Sequence, residues 1–185
     1  MWEQLLEWDK DLLVFLNNLG ASQFDSFWIF VTQIKHWIPV YIIFFILYLK
    51  FYTRKKAVLG IFFTVVALFA SLGITSLVKF LVERLRPNNN PEIFDAIRVL
   101  QTPENFSFFS GHATVSLAVT TFVVLALRKR IRWVYFFYIW PILFIPSRIY
   151  VGVHYPSDLL AGGFVGFMLA IVLWKAVAKK QLVST

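Results

Sequence analysis

The chain has 185 residues, of which 59% are hydrophobic, 19% aromatic and only 15% charged, and its formal net charge is +8. At a mean hydropathy of +0.70, a soluble globule would leave a large apolar surface in water, so that class is excluded. There are no cysteines, which removes disulfides, thiolate metal sites, iron–sulfur clusters and cysteine nucleophiles.

The segment 1–35 is interrupted by Asp9, Asp11, Asn17, Asn18 and Asp25, while Leu12, Leu13, Phe15, Leu16 and Leu19 recur at helical spacing. It reads as an amphipathic helix lying in the membrane interface, then a short helix over 23–34. The alternative is a sixth, polar-interrupted span over 11–34. The first residues lack the basic region and cleavage site of a secretory signal, so insertion is assigned to internal spans.

Five spans follow, over 36–53, 56–84, 107–128, 131–149 and 156–176. The uncharged run from Ala57 to Val78 alone supplies the roughly 20 residues that cross a hydrocarbon core as a helix. The predicted fold is therefore all-α, a polytopic transmembrane helix bundle of five to six spans with an N-terminal interfacial amphipathic helix. Its organisation is an interfacial segment 1–35, one transmembrane domain 36–180 and a tail 181–185. Gly162, Gly163 and Gly166 form a small-residue face suited to close helix packing.

Eleven of the eighteen basic residues lie in three clusters: Lys50, Arg54, Lys55, Lys56; Arg128, Lys129, Arg130, Arg132; and Lys175, Lys179, Lys180. Each cluster ends an apolar run and holds no Asp or Glu, the pattern of cytoplasmic flanks under the positive-inside rule. The positive charge thus reports topology, with a lesser part in holding anionic headgroups; nucleic acid is not an expected partner. The stretches 85–110 and 148–156 then face the outer side.

Ionisable residues at span ends where hydrophobicity does not require them mark function. Lys79 and Arg86-Pro87 close the second span; seven residues apart on a helix, they would share a face about 10 Å apart along the axis and converge on one anion. Ser110-Gly111-His112 opens the third span, where helix N-terminal N–H groups, a glycine and a serine hydroxyl suit an anion. Ser147-Arg148 and His154-x3-Asp158 precede and open the last span; Pro156 fits its first position, and Asp158 can fix one nitrogen of His154 and leave the other free as nucleophile or base. Taken singly, these groups could be snorkelling cations, a cap and an interfacial histidine. All three fall on one side of the membrane, and together they suit phosphoryl transfer through a phosphohistidine. No carboxylate cluster is present to hold a Mg²⁺ pair, so cations take the metal's place. His36, beside Lys35, is expected to be interfacial.

These residues resemble the signature of the type 2 phosphatidic acid phosphatase superfamily, K-x6-R-P, P-S-G-H and S-R-x5-H-x3-D, at Lys79, Arg86, Pro87, Ser110, Gly111, His112, Ser147, Arg148, His154 and Asp158. Phe109 stands where that family has proline, which loosens the approach to the helix and removes no catalytic group. The resemblance implies a membrane lipid phosphatase without cofactor or metal. In it, His154 attacks phosphorus, Asp158 holds its ring and His112 protonates the leaving oxygen and then activates water. Lys79, Arg86, Ser110, Gly111 and Arg148 bind the phosphate. The implied partner is a lipid phosphate in the membrane, undecaprenyl diphosphate first, with phosphatidylglycerol phosphate, phosphatidic acid or a lipid A phosphate as alternatives. A lipid or anion transporter without hydrolysis is the reading from another class. Phe106, Phe108 and Phe109 are expected at the site's mouth or in the aromatic belt. Compactness favours a bacterial inner membrane, with the site on its periplasmic or extracellular side.

Overall fold

A computed structural model describes residues 1–178 and 182. The tail 181–185 apart from Leu182, and the basic residues Lys179 and Lys180, lie outside those residues. The described residues form helices joined by turns and no strands. The eight α-helices are α1 (Trp2–Asn18), α2 (Asp25–Thr32), α3 (Ile38–Phe51), α4 (Arg54–Val82), α5 (Gly111–Leu127), α6 (Ile139–Phe144), α7 (Ser147–Tyr150) and α8 (Pro156–Leu173).

Three stretches are long and apolar enough to cross a membrane, Ile34–Phe51, Arg54–Asn89 and Pro156–Ala176, and the shorter apolar helix Gly111–Leu127 packs among them. Phe62, Phe69, Leu77, Phe80, Leu160, Phe164 and Val172 project outward from α4 and α8. A rim of that kind needs hydrocarbon around it. The protein is an integral membrane protein.

The expected span 131–149 is not one helix. Arg132–Tyr138 is 3₁₀-helical, α6 follows, and the chain bends before α7. The aromatic run Trp133 to Tyr138 is a modest helix former, and Pro146 brings no N–H to continue the ladder from α6. The stretch still advances about 14 Å over its seven 3₁₀ residues and about 9 Å over the six of α6. Segment 1–35 also differs from a single span over 11–34, because α1 ends at Asn18 and a 3₁₀ turn, Ser22–Phe24, precedes α2.

Helix α1 has three faces. Asp9, Leu13 and Asn17 are buried at successive i+4 positions; Leu5, Trp8, Leu12, Phe15 and Leu19 are exposed on a second face; Glu3, Gln4, Glu7, Asp11 and Asn18 occupy the third. The polar residues that interrupt the pattern are thus of two kinds. Asn17 is wholly buried and binds the loops beneath α1: its Nδ2 donates to the carbonyls of Arg98, Ile149 and Tyr150, and its Oδ1 accepts from the Arg98 N–H.

Helix α5 is the centre of the bundle, buried on nearly every side against α4, α6 and α8. Its closest neighbour is α8, because Gly162 and Gly166 carry no Cβ: one on Gly162 would lie 2.6 Å from the Ser110 carbonyl oxygen, and one on Gly166 2.2 Å from that of Thr114. This contact holds the N-terminus of α5 beside that of α8. At the opposite end, Tyr52 donates to the Ala126 carbonyl and Arg130 lies over the Tyr52 ring, so the basic ends of α3, α4 and α5 gather away from the signature motifs.

Gly166→Ala must push α5 from α8. Overpacking of this kind costs roughly 1–3 kcal/mol, so the variant should unfold at lower temperature in detergent; an unchanged thermal midpoint would show that the helices are not in contact there.

Candidate active site

The site is built at the ends of four helices. Helix α4 stops at Val82, with Glu83 in the left-handed conformation (φ 50°) as its cap. Pro87 then disfavours helix at Arg86, which is extended. Lys79 and Arg86 therefore do not share a helix face as the spacing predicts. They come to the site differently: Lys79 from the last turn of α4, and Arg86 from the strand-like exit. Lys79 Nζ donates to the Phe106 carbonyl and, at 3.0 Å, to that of Ser107. Arg86 donates through Nε to the Asn105 carbonyl (2.6 Å), through Nη2 to Asn105 Oδ1 (2.6 Å) and through Nη1 to the Val153 carbonyl (2.8 Å).

Arg86 Nη1 also lies 3.0 Å from His154 Nε2. A guanidinium only donates, which assigns Nε2 as the unprotonated nitrogen and Nδ1 as the N–H. Nδ1 faces Asp158 Oδ2 at 3.2 Å and Ser107 Oγ at 3.3 Å. His154 owes its position to the turn before it, where Gly152 has φ +75° and a Cβ would meet the Arg98 carbonyl oxygen at 2.5 Å. The imidazole is 1% exposed. Burial first, then the cations of Arg86, Arg148, Lys79 and Arg84, hold its pKa well below the ordinary histidine value.

Asp158 is in the first turn of α8, behind Pro156 as predicted, and is wholly buried. Its Oδ2 accepts from the Tyr155 N–H at 3.0 Å and from the Ser107 hydroxyl, and its Oδ1 accepts from Arg84 Nη1 at 2.9 Å. Ser110 is the N-cap of α5: its Oγ accepts from the Ala113 N–H, and its own N–H donates to the Asp158 carbonyl. The N–H groups of Gly111 and His112 begin the helix and have no acceptor within it. His112 lies against Phe144, and its Nε2 donates at 3.2 Å to the Thr32 carbonyl. Arg148 Nη1 donates to Thr32 Oγ1 (2.6 Å) and Gln101 Oε1 (3.0 Å); its Nε is buried and has no partner among the described residues.

All eight predicted site residues thus collect in one region. Ser147, also part of the signature, bonds the Phe144 carbonyl of its own turn instead. His36 stacks on Phe30 and bonds that residue's carbonyl. Phe109 is not at a mouth but buried, whereas Phe108 lines a groove of about 970 Å³ between α1 and the end of α4. Sequence reasoning missed Arg84, Ser107, Asn105 and Thr32. A serine or asparagine in a loop has no periodicity to mark it, and Arg84 sits inside the variable part of its motif. Among the described residues, no three His, Asp or Glu side chains converge as metal ligands.

Residues 60–182 match the family described as PAP2 superfamily. The chain is 32% identical to the lipid A 4'-phosphatase of Bacteroides thetaiotaomicron, an alignment covering 98% of this chain and 84% of that protein. It is 29% identical to the undecaprenyl-diphosphatase of Sulfolobus acidocaldarius, covering 92% and 79% respectively. The fold is similar to that of the transmembrane PAP2 type phosphatidylglycerolphosphate phosphatase of Bacillus subtilis, with a TM-score of 0.76 and 20% identity over 95% of this chain and 87% of the other.

A neutral His154 with its proton on Nδ1 is directly observable. Imidazole nitrogen NMR should find the ring neutral at pH 6.5, near the ordinary midpoint of about 6.5, where an unperturbed histidine is half protonated. A half-charged ring at that pH would contradict the buried, cation-flanked geometry.

Proposed function

The chain belongs to the PAP2 superfamily, and from that premise we propose that it hydrolyses a phosphate or diphosphate group of a membrane lipid through a phosphohistidine on His154. The observation that carries the reading is the orientation of that ring: Nδ1–H toward Asp158 and the Nε2 lone pair toward Arg86. In the first step Nε2 forms a bond to phosphorus as the P–O bond to the lipid breaks, and His112, whose Nε2 bears a proton, transfers it to the departing oxygen. In the second, His112 takes a proton from water, the water oxygen attacks phosphorus and the P–N bond breaks, which releases inorganic phosphate. The proton stays on Nδ1 throughout, hydrogen-bonded to the Asp158 carboxylate, whose negative charge balances the positive charge that grows on the ring.

The phosphate oxygens would be met by Arg86, Arg148 and Lys79 and by the N–H groups of Gly111 and His112 at the start of α5, with Ser110 as its cap. The unpartnered Nε of Arg148 is a donor already in place for an anion. We take the reaction to be metal-independent because these basic groups occupy the role that a divalent ion plays in other phosphoryl transfers.

As to substrate, we propose a lipid whose phosphate sits at headgroup depth. The signature alone favours undecaprenyl diphosphate; the similarity to a lipid A 4'-phosphatase across nearly the whole chain supports taking a lipid A phosphate as the first candidate. The three-faced α1 fits a helix in the interface, with its exposed leucines and Trp8 toward the acyl chains. The basic helix ends at the far side support a site that faces the periplasmic or extracellular side of a bacterial inner membrane.

Detergent-purified protein should release phosphate from at least one of lipid A phosphate, undecaprenyl diphosphate, phosphatidylglycerol phosphate and phosphatidic acid, and the ranking of rates identifies the substrate. His154→Ala should lose essentially all turnover while remaining folded; near-normal activity in that variant would remove His154 as nucleophile. Activity should survive EDTA. Inhibition by EDTA and recovery with Mg²⁺ would overturn the metal-independent reading.

A further inference from the structure

Arg84 is the cation bonded directly to the carboxylate of the His154–Asp158 pair, and it is held in turn by Asp9 of the N-terminal helix. Its guanidinium carbon lies over the Tyr155 ring, 3.7 Å from the centroid. Nη1 donates to Asp158 Oδ1 at 2.9 Å and to Ser157 Oγ at 2.8 Å, and Nη2 donates to Asp9 Oδ2 at 2.7 Å. Asp9 in turn accepts from the Ser157 N–H at 2.9 Å through Oδ1 and from the Ser157 hydroxyl through Oδ2, so it also caps the first turn of α8. The Arg84 carbonyl accepts from the Ser107 N–H at 2.8 Å, which places the Ser107 hydroxyl on Asp158. The side chain of Arg84 is 18% exposed, that of Asp9 9% and that of Asp158 0%.

A carboxylate buried to that degree stays ionised only beside a charged partner and with its lone pairs filled. Of the four donors to Asp158 among the described residues, the His154 Nδ1–H, the Tyr155 N–H and the Ser107 hydroxyl are neutral and the Arg84 guanidinium is charged. The fork matters as well as the charge, because one planar group reaches Asp158, Ser157 and Asp9 at once.

We propose that Arg84, clamped by Asp9 of α1, is a positioning residue that orients and charges Asp158 and through it the His154 nucleophile. The N-terminal helix is thereby part of the site's working geometry and not only a membrane contact. This rests on the reading of His154 and Asp158 given above. The groups facing His154 and Asp158 are Lys79 from α4, Arg84 and Arg86 after it, His112 from α5, Arg148 from α7 and, through Arg84, Asp9 from α1. Removing Arg84 takes away one of the four cations that hold His154 neutral, so the acid limb of kcat/KM should move to higher pH.

The experiment measures kcat, KM and the pH profile of phosphate release for wild type, Arg84→Gln, Arg84→Lys, Asp9→Asn, the Arg84→Gln/Asp9→Asn pair, Asn17→Ala and His154→Ala. Arg84→Gln should lower kcat by at least about tenfold, the scale seen for removal of groups that orient a functional ligand, with little change in KM and the acid limb shifted up. Arg84→Lys should recover part of the loss. Asp9→Asn should lower kcat less and add nothing to Arg84→Gln in the pair, the non-additivity of groups acting through one another. Asn17→Ala loosens α1 at its other buried tether and should lower thermal stability while leaving the acid limb in place.

A kcat within twofold of wild type in both Arg84→Gln and Asp9→Asn would overturn the proposal, as would an equal shift of the acid limb in Asn17→Ala. If Arg84→Gln does not fold, Asp9→Asn and Arg84→Lys decide the matter by the same criteria. An active His154→Ala would instead defeat the underlying reading, so the two failures are told apart in one data set.

Discussion

Asp158 is a carboxylate with no exposure to solvent at the start of a helix in a largely apolar bundle. Leaving such a group unpaired is among the costliest things a fold can do, and much of this end of the bundle is arranged around it. Arg84 and Ser107 reach it from the long connection between α4 and α5, Tyr155 from the turn before α8, and His154 from the loop that Gly152 bends. Each of those contacts fixes a chain segment whose other groups belong to the site. The Asp158 carbonyl even takes the N–H of Ser110, and so sets the cap of α5 against the first turn of α8.

The close approach of α5 and α8 is the second condition. Hydrocarbon offers helices no hydrophobic reason to associate, so small residues that let backbones meet supply dispersion contact instead. Gly162 faces the Ser110 carbonyl and Gly166 the Thr114 carbonyl. The first of these glycines therefore works at two levels, packing a membrane helix and bringing the start of α5 within reach of the groups that precede α8.

The signature spacing and the apolar runs make the helical bundle and the gathering of the eight signature residues at one of its ends legible, because apolar runs and motif positions are local properties of the chain. Three things were not legible. The spacing of Lys79 and Arg86 predicts one helix face, but α4 ends between them at the left-handed Glu83 cap, which has no strong sequence mark when glycine is absent. The stretch 131–149 has the hydropathy of one span, although its aromatic run and Pro146 divide it into short helices. Asp9 and Asn17 interrupt the apolar pattern of the sequence, whereas in the fold they belong to the buried face of α1. That last difference is instructive: in a helix exposed to lipid, burial inside protein is where polar groups can be satisfied, so hydropathy alone assigns the faces backwards.

The resting contacts of the cations complete the physical picture. Lys79 and Arg86 spend their donors on carbonyls of Asn105, Phe106, Ser107 and Val153, and Arg86 covers the lone pair of His154 that the proposed reaction needs. A neutral imidazole nitrogen and a carbonyl are weaker acceptors for a guanidinium than a phosphate oxygen is. On the proposed reading, an arriving phosphate draws Arg86 from Nε2 as it binds, and that exchange exposes the nucleophile at the moment the electrophile comes within reach. Recognition and activation would then be one event, with Asp158 and Arg84 holding the ring in register while its partner on the other side changes.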